Sequence, residues 1–499
     1  MPKRAVPVDR PDLRLDASLP APLYKQLYGR LRGAIFSGHL RRGARLPSTR
    51  TLASELGVSR FTIVAAYELL SLEGYLESRV GHGTLVSENL PERPFNDPAG
   101  SSPEIREEVT ESPPMRLAAL VHRLHEIPHL ERGEGSRGEP FVSGQPALDL
   151  FPYDLWARLV ARRARTSLAA HASYQPPAGY LPLREAIATH IGITRGVRCN
   201  ADQVIITAGT QGALDLAVRT LLDPGDLAWI ENPGYFGARG ALRGAGAQLV
   251  PVPVDEEGMD IAAGRRRALM ARLAFVTPSH QYPTGVTMSL GRRLALLEWA
   301  RQAAAWVLED DYDSEYRFGG RPLEALQALD QHGRVLYVGT FSKLLLPALR
   351  LGYLVAPPDL VDPLLTTRRF TDVHMPILEQ MALADFLGEG HYARHLRRML
   401  QHYRRRRACL YHELVMHLGG LLEVSLPEAG MELVGWLPPG TDDYRASALA
   451  AEAGITASPI SRHSLEPLPR GGLLLGFAGT NEDDIQRGVQ VLAAALKRL

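Results

Sequence analysis

The stretch RVLYVGTFSKLLLPALRLGYLVAP (334–357) decides how the chain is read. Val335, Leu336, Tyr337 and Val338 form a short apolar run of the kind that fills a buried strand. Lys343 follows just past the end of that run, and in an open α/β sheet the strand ends are where ligands bind. Arg350 comes seven residues later, close enough to share the same site. Lys343 gains weight from scarcity. Of 56 basic residues only Lys3, Lys25, Lys343 and Lys497 are lysines; the other 52 are arginines. Arginine stays protonated and cannot act as an amine nucleophile. A coding bias suffices to explain the scarcity, but lysine chemistry is still confined to four positions, two of them at the chain ends.

Working upstream, AWVLEDDYDSE (305–315) is a second buried-strand run, ending in acids and a tyrosine. ARLAFVTPSHQYPTG (271–285) passes from a strand into a Pro-Thr-Gly turn. VIITAGTQGALDLAVRTLL (204–222) passes from a strand through a glycine-rich turn into a helix. Such a turn presents free backbone N–H groups and a positive helix end, which suits phosphate. Each signal alone has a plain alternative. The turn can be mere connection geometry, and Asp310-Asp311 can be a solvated strand end or a metal site. The order is more telling: phosphate turn, aromatic after Pro-Gly, Pro-Thr-Gly, Asp-x-Tyr, Ser-Lys, then Arg. Pyridoxal 5′-phosphate needs a lysine for a Schiff base, an acid for its pyridine nitrogen, donors for its phosphate and an aromatic ring to stack on it.

Strand-like and helix-like runs alternate over about 360 residues, which predicts an α/β architecture. They follow a Pro-, Ser- and Glu-rich segment, PERPFNDPAGSSPEIREEVTESPP (91–114), and a short amphipathic stretch, MRLAALVHRLHEI (115–127), expected to be helical. Residues 91–140 are therefore read as a flexible linker. Before it, PLYKQLYGRLRGAIFSG (22–38) places Leu23, Leu27, Leu31 and Ile35 on one helical face. Ser48 opens a short helix that Gly57 closes, and Ser59 caps a second one whose inner face is Ile63, Ala66, Tyr67 and Leu70. Two short helices joined by Gly57-Val58 make a helix-turn-helix. The runs at 75–78 and 84–87, around a glycine-rich tip, predict a β-hairpin wing. A helical protein-interaction module fits the helices equally well.

Charge divides along the chain: residues 1–90 carry +5 and the remainder −4, which points to a polyanionic partner for the first part. Two cysteines exclude a disulfide framework and a Cys-rich zinc site, and no metal is expected. No apolar run is long enough to span a membrane, and the first residues carry no hydrophobic leader, so a cytoplasmic location is expected. The basic stretch HYARHLRRMLQHYRRRRACLYHEL (391–414) reads as a helix with a solvated face, a supplementary DNA contact being the alternative.

The string LPSTRTLASELGVSRFTIVAAYELLSLEGYLESRVGHGTLV (46–86) resembles the winged helix-turn-helix of GntR-family repressors, without gaps over about residues 20–88. The resemblance implies a tail over 1–19 and an α+β DNA-binding domain over 20–90. It also implies contacts to double-stranded operator DNA from Ser48, Arg50, Ser59, Arg60, Thr62, Gly81, His82 and Gly83. YQPPAGYLPLREAIA (174–188), TAGTQGALDL (207–216), ENPGY (231–235), TPSHQYPTGVTMS (277–289), LEDDYDSEYR (308–317) and GTFSKLLLPALRLGY (339–353) resemble the fold-type I aminotransferases. The whole chain looks like a MocR/GabR-type regulator: a winged helix-turn-helix followed by an α/β fold-type I aminotransferase-like domain over 141–499. Within that domain a large part spans about 185–365 and a small part about 366–499.

By resemblance, Lys343 carries the cofactor as a Schiff base, Asp310 keeps the pyridine nitrogen protonated and Tyr312 reaches the phenolic oxygen. Tyr235 stacks on the ring, and Gly209, Thr210, Gln211, Thr340, Ser342 and Arg350 hold the phosphate. Tyr174 reaches the neighbouring subunit's phosphate in a head-to-tail homodimer. Two departures from ordinary aminotransferases are visible. Tyr282 stands where those enzymes often have Asn, so a ring contact is lost unless His280 or Gln281 replaces it. Leu474-Leu475-Gly476-Phe477 stands where an Arg-Leu-x-Phe pattern binds a substrate carboxylate, and Arg462 is the expected substitute. The resemblance implies a regulator, with at most partial transamination, that senses an amine, an amino acid or pyridoxal phosphate itself. The alternative is an active aminotransferase with an accessory DNA-binding module.

Overall fold

The computed structural model describes residues 13–16, 18–79, 83–90, 116–125, 127, 139–319 and 323–499. It separates into two compact units, Met1–Pro114 and Met115–Leu499.

In the first unit three helices, Leu23–Phe36, Thr49–Leu56 and Arg60–Leu72, precede an antiparallel hairpin of Leu76–Arg79 and Gly83–Val86, in which Leu76 pairs with Val86. The helix ends follow from local chemistry. The Ser48 and Ser59 hydroxyls accept from the backbone N–H groups of Thr51 and Thr62, and Gly57 closes the second helix in the left-handed region (φ 63°). Leu27, Leu31, Ile63, Ala66 and Leu70 are buried in one core with Leu52 and Leu76. That core makes a winged helix-turn-helix.

In the second unit eight strands run in the order Val204–Thr207, Gly352–Val355, Val335–Thr340, Trp306–Asp311, Leu273–Val276, Leu227–Asn232, Gln248–Asp255 and Gly258–Met259. The five strands from Val335–Thr340 to Gln248–Asp255 are parallel, and Gly352–Val355 is antiparallel to both its neighbours. The apolar runs of the four from Val335–Thr340 to Leu227–Asn232 are buried on both faces, as a helix-covered sheet requires, while Gln248–Asp255 is only partly buried. Trp229 stacks on Trp299 with ring centroids 3.7 Å apart, and both indole N–H groups find backbone carbonyls, so two large aromatics fill the core without an unpaired donor. A second, antiparallel sheet of Glu423–Val424, Glu432–Trp436, Gly472–Gly476 and Ser458–Pro459 packs with the helices His391–Leu418, Asp443–Glu452 and Glu482–Leu496.

The basic stretch is a helix with the expected solvated face, which carries Arg394, Arg397, Arg398, Arg404 and Arg405, and it has a buried face as well. Tyr392, Met399, Tyr403, Arg406, Leu410 and Leu414 form a buried stripe along His391–Leu418. Arg406 donates to the Ala478 carbonyl, and Arg407 lies 4.3 Å over the Phe318 ring. Part of its charge thus serves packing. The linker expectation over 91–140 falls mostly outside the described residues. Within it Ala119–His125 is helical, and Arg123 donates to the Arg243 and Gly244 carbonyls (2.9 and 3.3 Å), capping the last turn of the helix Phe236–Gly244.

One buried ion pair ties the site's supports together. Arg195 ends the helix Leu181–Arg195 and donates through Nε to Asp311 (2.7 Å), through an Nη to Ser279 Oγ (2.6 Å), and to the Leu323 carbonyl. The Tyr337 hydroxyl donates to the same Asp311 oxygen at 2.6 Å. With both partners almost fully buried, Arg195→Ala leaves Asp311 uncompensated. The expected cost is about 3–5 kcal/mol, read as a lowered urea midpoint for the larger unit with an unchanged m-value.

Candidate functional site

The ends of three parallel strands of the larger sheet converge, with Leu273–Val276 between the second and the third. Val335–Thr340 leads to Lys343, Trp306–Asp311 delivers Asp310 and then Tyr312, and Leu227–Asn232 leads to Tyr235. Lys343 Nζ donates to the Gly144 carbonyl at 2.7 Å. Gly144 is in the left-handed region (φ 65°), which favours glycine, and a Cβ there would lie 2.3 Å from Nζ and displace the lysine from this carbonyl. The neighbouring Ser143 hydroxyl donates to Glu432, a buried carboxyl whose pKa burial raises while the Lys343 charge opposes the rise.

Asp310 and Asp311 are adjacent and both 5% exposed, which removes the solvated-strand-end reading. Their circumstances differ. Asp311 is held ionised by Arg195 and by hydroxyl donors, against its burial. Asp310 Oδ1 is buried with no hydrogen-bond partner among the described residues. Burial, aided by the charges of Asp311, Asp313 and Glu231, holds the Asp310 pKa well above the ordinary carboxylate range; Lys343 only partly opposes this. Behind it Glu231 is buried too, and burial pushes its pKa up to about 7 despite donors from Thr277 and Gln281.

Tyr312 is fixed by a network that sequence reading missed. Its hydroxyl lies 3.0 Å from His280 Nδ1, which is 3.1 Å from both carboxylate oxygens of Asp313. His280 and Asp313 are buried. Gln281, offered with His280 as a replacement ring contact, has no spare hydrogen bonds. Its amide nitrogen donates to Glu231, to Pro233 O and to Tyr282 O, while its oxygen accepts from Thr284. It is a structural brace. Tyr282, in the place of the usual Asn, meets Tyr235 and Tyr312 edge-on (centroids 5.9 and 6.0 Å) and joins the two rings into one wall.

At the glycine-rich turn, Gly209 (φ 69°) starts the helix Gly209–Leu221 without a side-chain cap on its first turn. Arg350, itself left-handed (φ 49°), donates to the Ala208 carbonyl at 2.9 Å and faces Gly209. The Ser342 N–H donates to Thr340 Oγ1 at 3.1 Å, while Ser342 Oγ is buried without a hydrogen-bond partner among the described residues. Thr210 follows Gly209 in the same first turn. Gln211 donates to the Gly237 carbonyl, and its side chain and the Tyr235 ring crowd the space beside Gly237.

Two predicted residues stand apart. Tyr174 is 86% exposed, its ring edge-on to His374. Arg462 lies in a turn, Ile460–His463, with its guanidinium 5.9 Å from the ring of Phe236, the residue after Tyr235. His463 stacks on the same Phe236 ring at 4.3 Å, and burial beside Arg239 and Arg462 pushes its pKa down to about 3, so it is neutral. In the first unit Ser48, Arg50, Ser59 and Arg60 are exposed on the two short helices, with Thr62 half-buried beside them. Gly83 opens the second hairpin strand at φ 81°; Gly81 and His82 lie outside the described residues.

The aminotransferase class I and II family pattern matches residues 149–492, and that of the gntR family of bacterial regulatory proteins matches residues 23–86. The chain therefore pairs a gntR-type DNA-binding unit with a class I and II aminotransferase unit. It is 40% identical over 98% of its length to the probable rhizopine catabolism regulatory protein MocR of Rhizobium meliloti, covering 96% of that protein. It is 31% identical over 95% of its length to the pyridoxine biosynthesis transcriptional regulator PdxR of Corynebacterium glutamicum, covering 96% of it. The chain belongs to the MocR-type regulators. Among solved structures, α-aminoadipate aminotransferase LysN of Thermus thermophilus, complexed with N-(5′-phosphopyridoxyl)-L-leucine, matches with TM-score 0.67 and 31% identity over 76% of this chain and 95% of that one.

The Asp310 geometry has a measurable consequence without any ligand. Asp310→Asn removes a buried carboxyl that Lys343 only partly balances, so the ligand-free protein is expected to gain about 1–3 kcal/mol. The sign fixes the pH dependence. A carboxyl whose folded pKa is raised loses stability as pH rises above its ordinary value of 3.8. The advantage of Asn over Asp therefore grows from about pH 4 upward and levels off once the buried carboxyl ionises, as thermal melts across pH would record.

Proposed function

We propose that this chain is a transcriptional regulator that holds pyridoxal 5′-phosphate on Lys343 and couples the state of that site to the binding of double-stranded DNA. The observation that carries the reading is Asp310 Oδ1, buried and unpartnered a short distance from the lysine. A protonated ring nitrogen is the donor such an oxygen lacks. The unpartnered Ser342 Oγ and the uncapped helix start at Gly209, facing Arg350, are likewise suited to a phosphate.

Bound there, pyridoxal phosphate supplies an aldehyde carbon that amines attack. Lys343 would supply the resident amine; its free Nζ is held by the Gly144 carbonyl, with the Glu432 carboxyl close enough to feel its charge. Asp310 holds the proton of the ring nitrogen. Tyr312 donates toward the phenolic oxygen, oriented by His280 and Asp313. Tyr235 covers the ring face, and Tyr282 braces it and excludes water. Gly209, Thr210, Gln211, Thr340, Ser342 and Arg350 bind the phosphate, and Tyr174, exposed on one chain, reaches the phosphate of a second copy in a head-to-tail homodimer. Arg462 receives the carboxylate of an amino-acid effector. The effector is an amine, an amino acid or the cofactor itself, and it acts by its different affinity for two arrangements of the protein. Ser48, Arg50, Ser59, Arg60, Thr62 and the wing residues 81–83 contact the DNA. We place the domains at 20–90 and 141–499 and the protein in the cytoplasm.

An active aminotransferase is the second reading, favoured by the intact set of Lys343, Asp310 and Tyr312. The regulator reading is preferred because relatives match through both units and because buried Leu474 occupies the place of the usual carboxylate-binding arginine.

Two measurements on purified full-length protein test the proposal. Adding pyridoxal phosphate is expected to give a visible absorption band, distinct from the free compound, that Lys343→Ala lacks. Duplex DNA is expected to bind with log K falling linearly against log salt. Identical spectra for both proteins contradict the cofactor assignment. Rapid, sustained amino transfer without salt-sensitive DNA binding contradicts the regulator.

A further inference from the structure

The helix Arg60–Leu72 presents an aromatic ring where a reader of bases would be placed. At about 100° per residue, Phe61 lies about 180° from Leu70 and well away from Ile63 and Ala66, the residues that bury the helix in its core. It is 78% exposed, in the first helical turn and between Arg60 and Thr62. The polar groups beside it are already engaged. Ser59 Oγ accepts from the Thr62 N–H (3.1 Å) and lies 2.9 Å from Thr62 Oγ1. Ser48 Oγ has the same arrangement with Thr51 (3.2 and 2.7 Å). Arg60 Nε donates to Thr49 Oγ1 at 3.3 Å, tying the two short helices together. Hydroxyls committed to caps are poor readers of base edges, whereas the phenyl ring is exposed.

We infer that Phe61 is a specificity-determining residue, reading a thymine methyl in the major groove. The 5-methyl of thymine is the apolar group on that groove's base edges, and contact with apolar side chains such as Phe is how it is distinguished. The positive end of the helix and the exposed Arg50 and Arg60 hold the neighbouring phosphates and set the depth of the ring. A protein partner on the same face is disfavoured by its composition. Leu72 is also exposed on this side, but it lies about 16 Å further along the axis, and the exposed Glu68 comes between them. Phe61 and Leu72 do not make one apolar patch.

The inference rests on the DNA-binding reading, and the experiment separates the two. Duplexes are recovered from a random-sequence library with the full-length protein in the presence of pyridoxal phosphate. Each recovered thymine is then replaced singly by uracil, which removes only the methyl. At one thymine per half-site the wild type is expected to weaken about three- to fivefold, the worth of one buried methyl group. Phe61→Ala is expected to bind thymine and uracil equally there, with an unchanged salt slope, and Phe61→Leu to keep part of the discrimination. No thymine–uracil difference in the wild type, or the same difference in Phe61→Ala, overturns the role of Phe61 and leaves DNA binding standing. A change of oligomeric state in Phe61→Ala with discrimination intact assigns the ring to a protein contact instead. If the full-length protein enriches no sequence and shows no salt-sensitive binding, the DNA-binding reading fails and this inference with it.

Discussion

Two adjacent carboxylates end the strand Trp306–Asp311, and the chain balances them unequally. Asp311 has Arg195 and the Tyr337 hydroxyl, and is part of the framework. Asp310 has one oxygen with no partner among the described residues, in a place where burial and three neighbouring acids all oppose its charge. A buried unpaired carboxyl is costly, and strain of this kind concentrates at functional sites. The parallel sheet delivers the acid to its edge, the Arg195 pair fixes the strand end, and the tyrosine wall shuts out water. Together they hold a buried acid whose charge a cationic ring nitrogen would balance.

The same logic orders the groups around it. Lys343 lies among acceptors, with the Gly144 carbonyl at 2.7 Å and Glu432 nearby. Tyr312 is oriented through His280 by Asp313, so its hydroxyl is positioned by a buried imidazole–carboxylate contact. The proposed phosphate end relies on backbone N–H groups and one arginine. Positive charge is thereby placed at that end and negative charge at the ring-nitrogen end, a polarity that complements pyridoxal phosphate.

Much of this was legible in the sequence because it is local. Apolar runs followed by Gly, Asp or Lys mark strands and what lies at their ends, and Ser48, Gly57 and Ser59 mark helix ends by side-chain chemistry alone. The remainder depends on contacts between distant segments. Gly144 meets Lys343 across 199 residues, Ser143 meets Glu432 across 289, and Arg195 meets Asp311 across 116. No spacing rule brings such pairs together. The choice between His280 and Gln281 was left open for the same reason: only the fold shows that the Gln281 amide is consumed by Glu231, Pro233, Tyr282 and Thr284. The basic stretch 391–414 was legible as a helix with a solvated face, whereas the 3.6-residue stripe of Tyr392, Met399, Tyr403 and Leu410 that packs its other face shows only in the fold.

Joining a cofactor-type site to a DNA-reading unit gains meaning only if the two are thermodynamically coupled, and coupling is reciprocal. If pyridoxal phosphate alters DNA affinity by some factor, DNA alters pyridoxal phosphate affinity by the same factor. The direct test titrates pyridoxal phosphate into the full-length protein with and without a saturating duplex, following absorbance, and compares the two half-saturation points with the cofactor's effect on duplex affinity. The account predicts a severalfold shift, equal in both directions. Superimposable titrations, beside a duplex affinity indifferent to the cofactor, would contradict it.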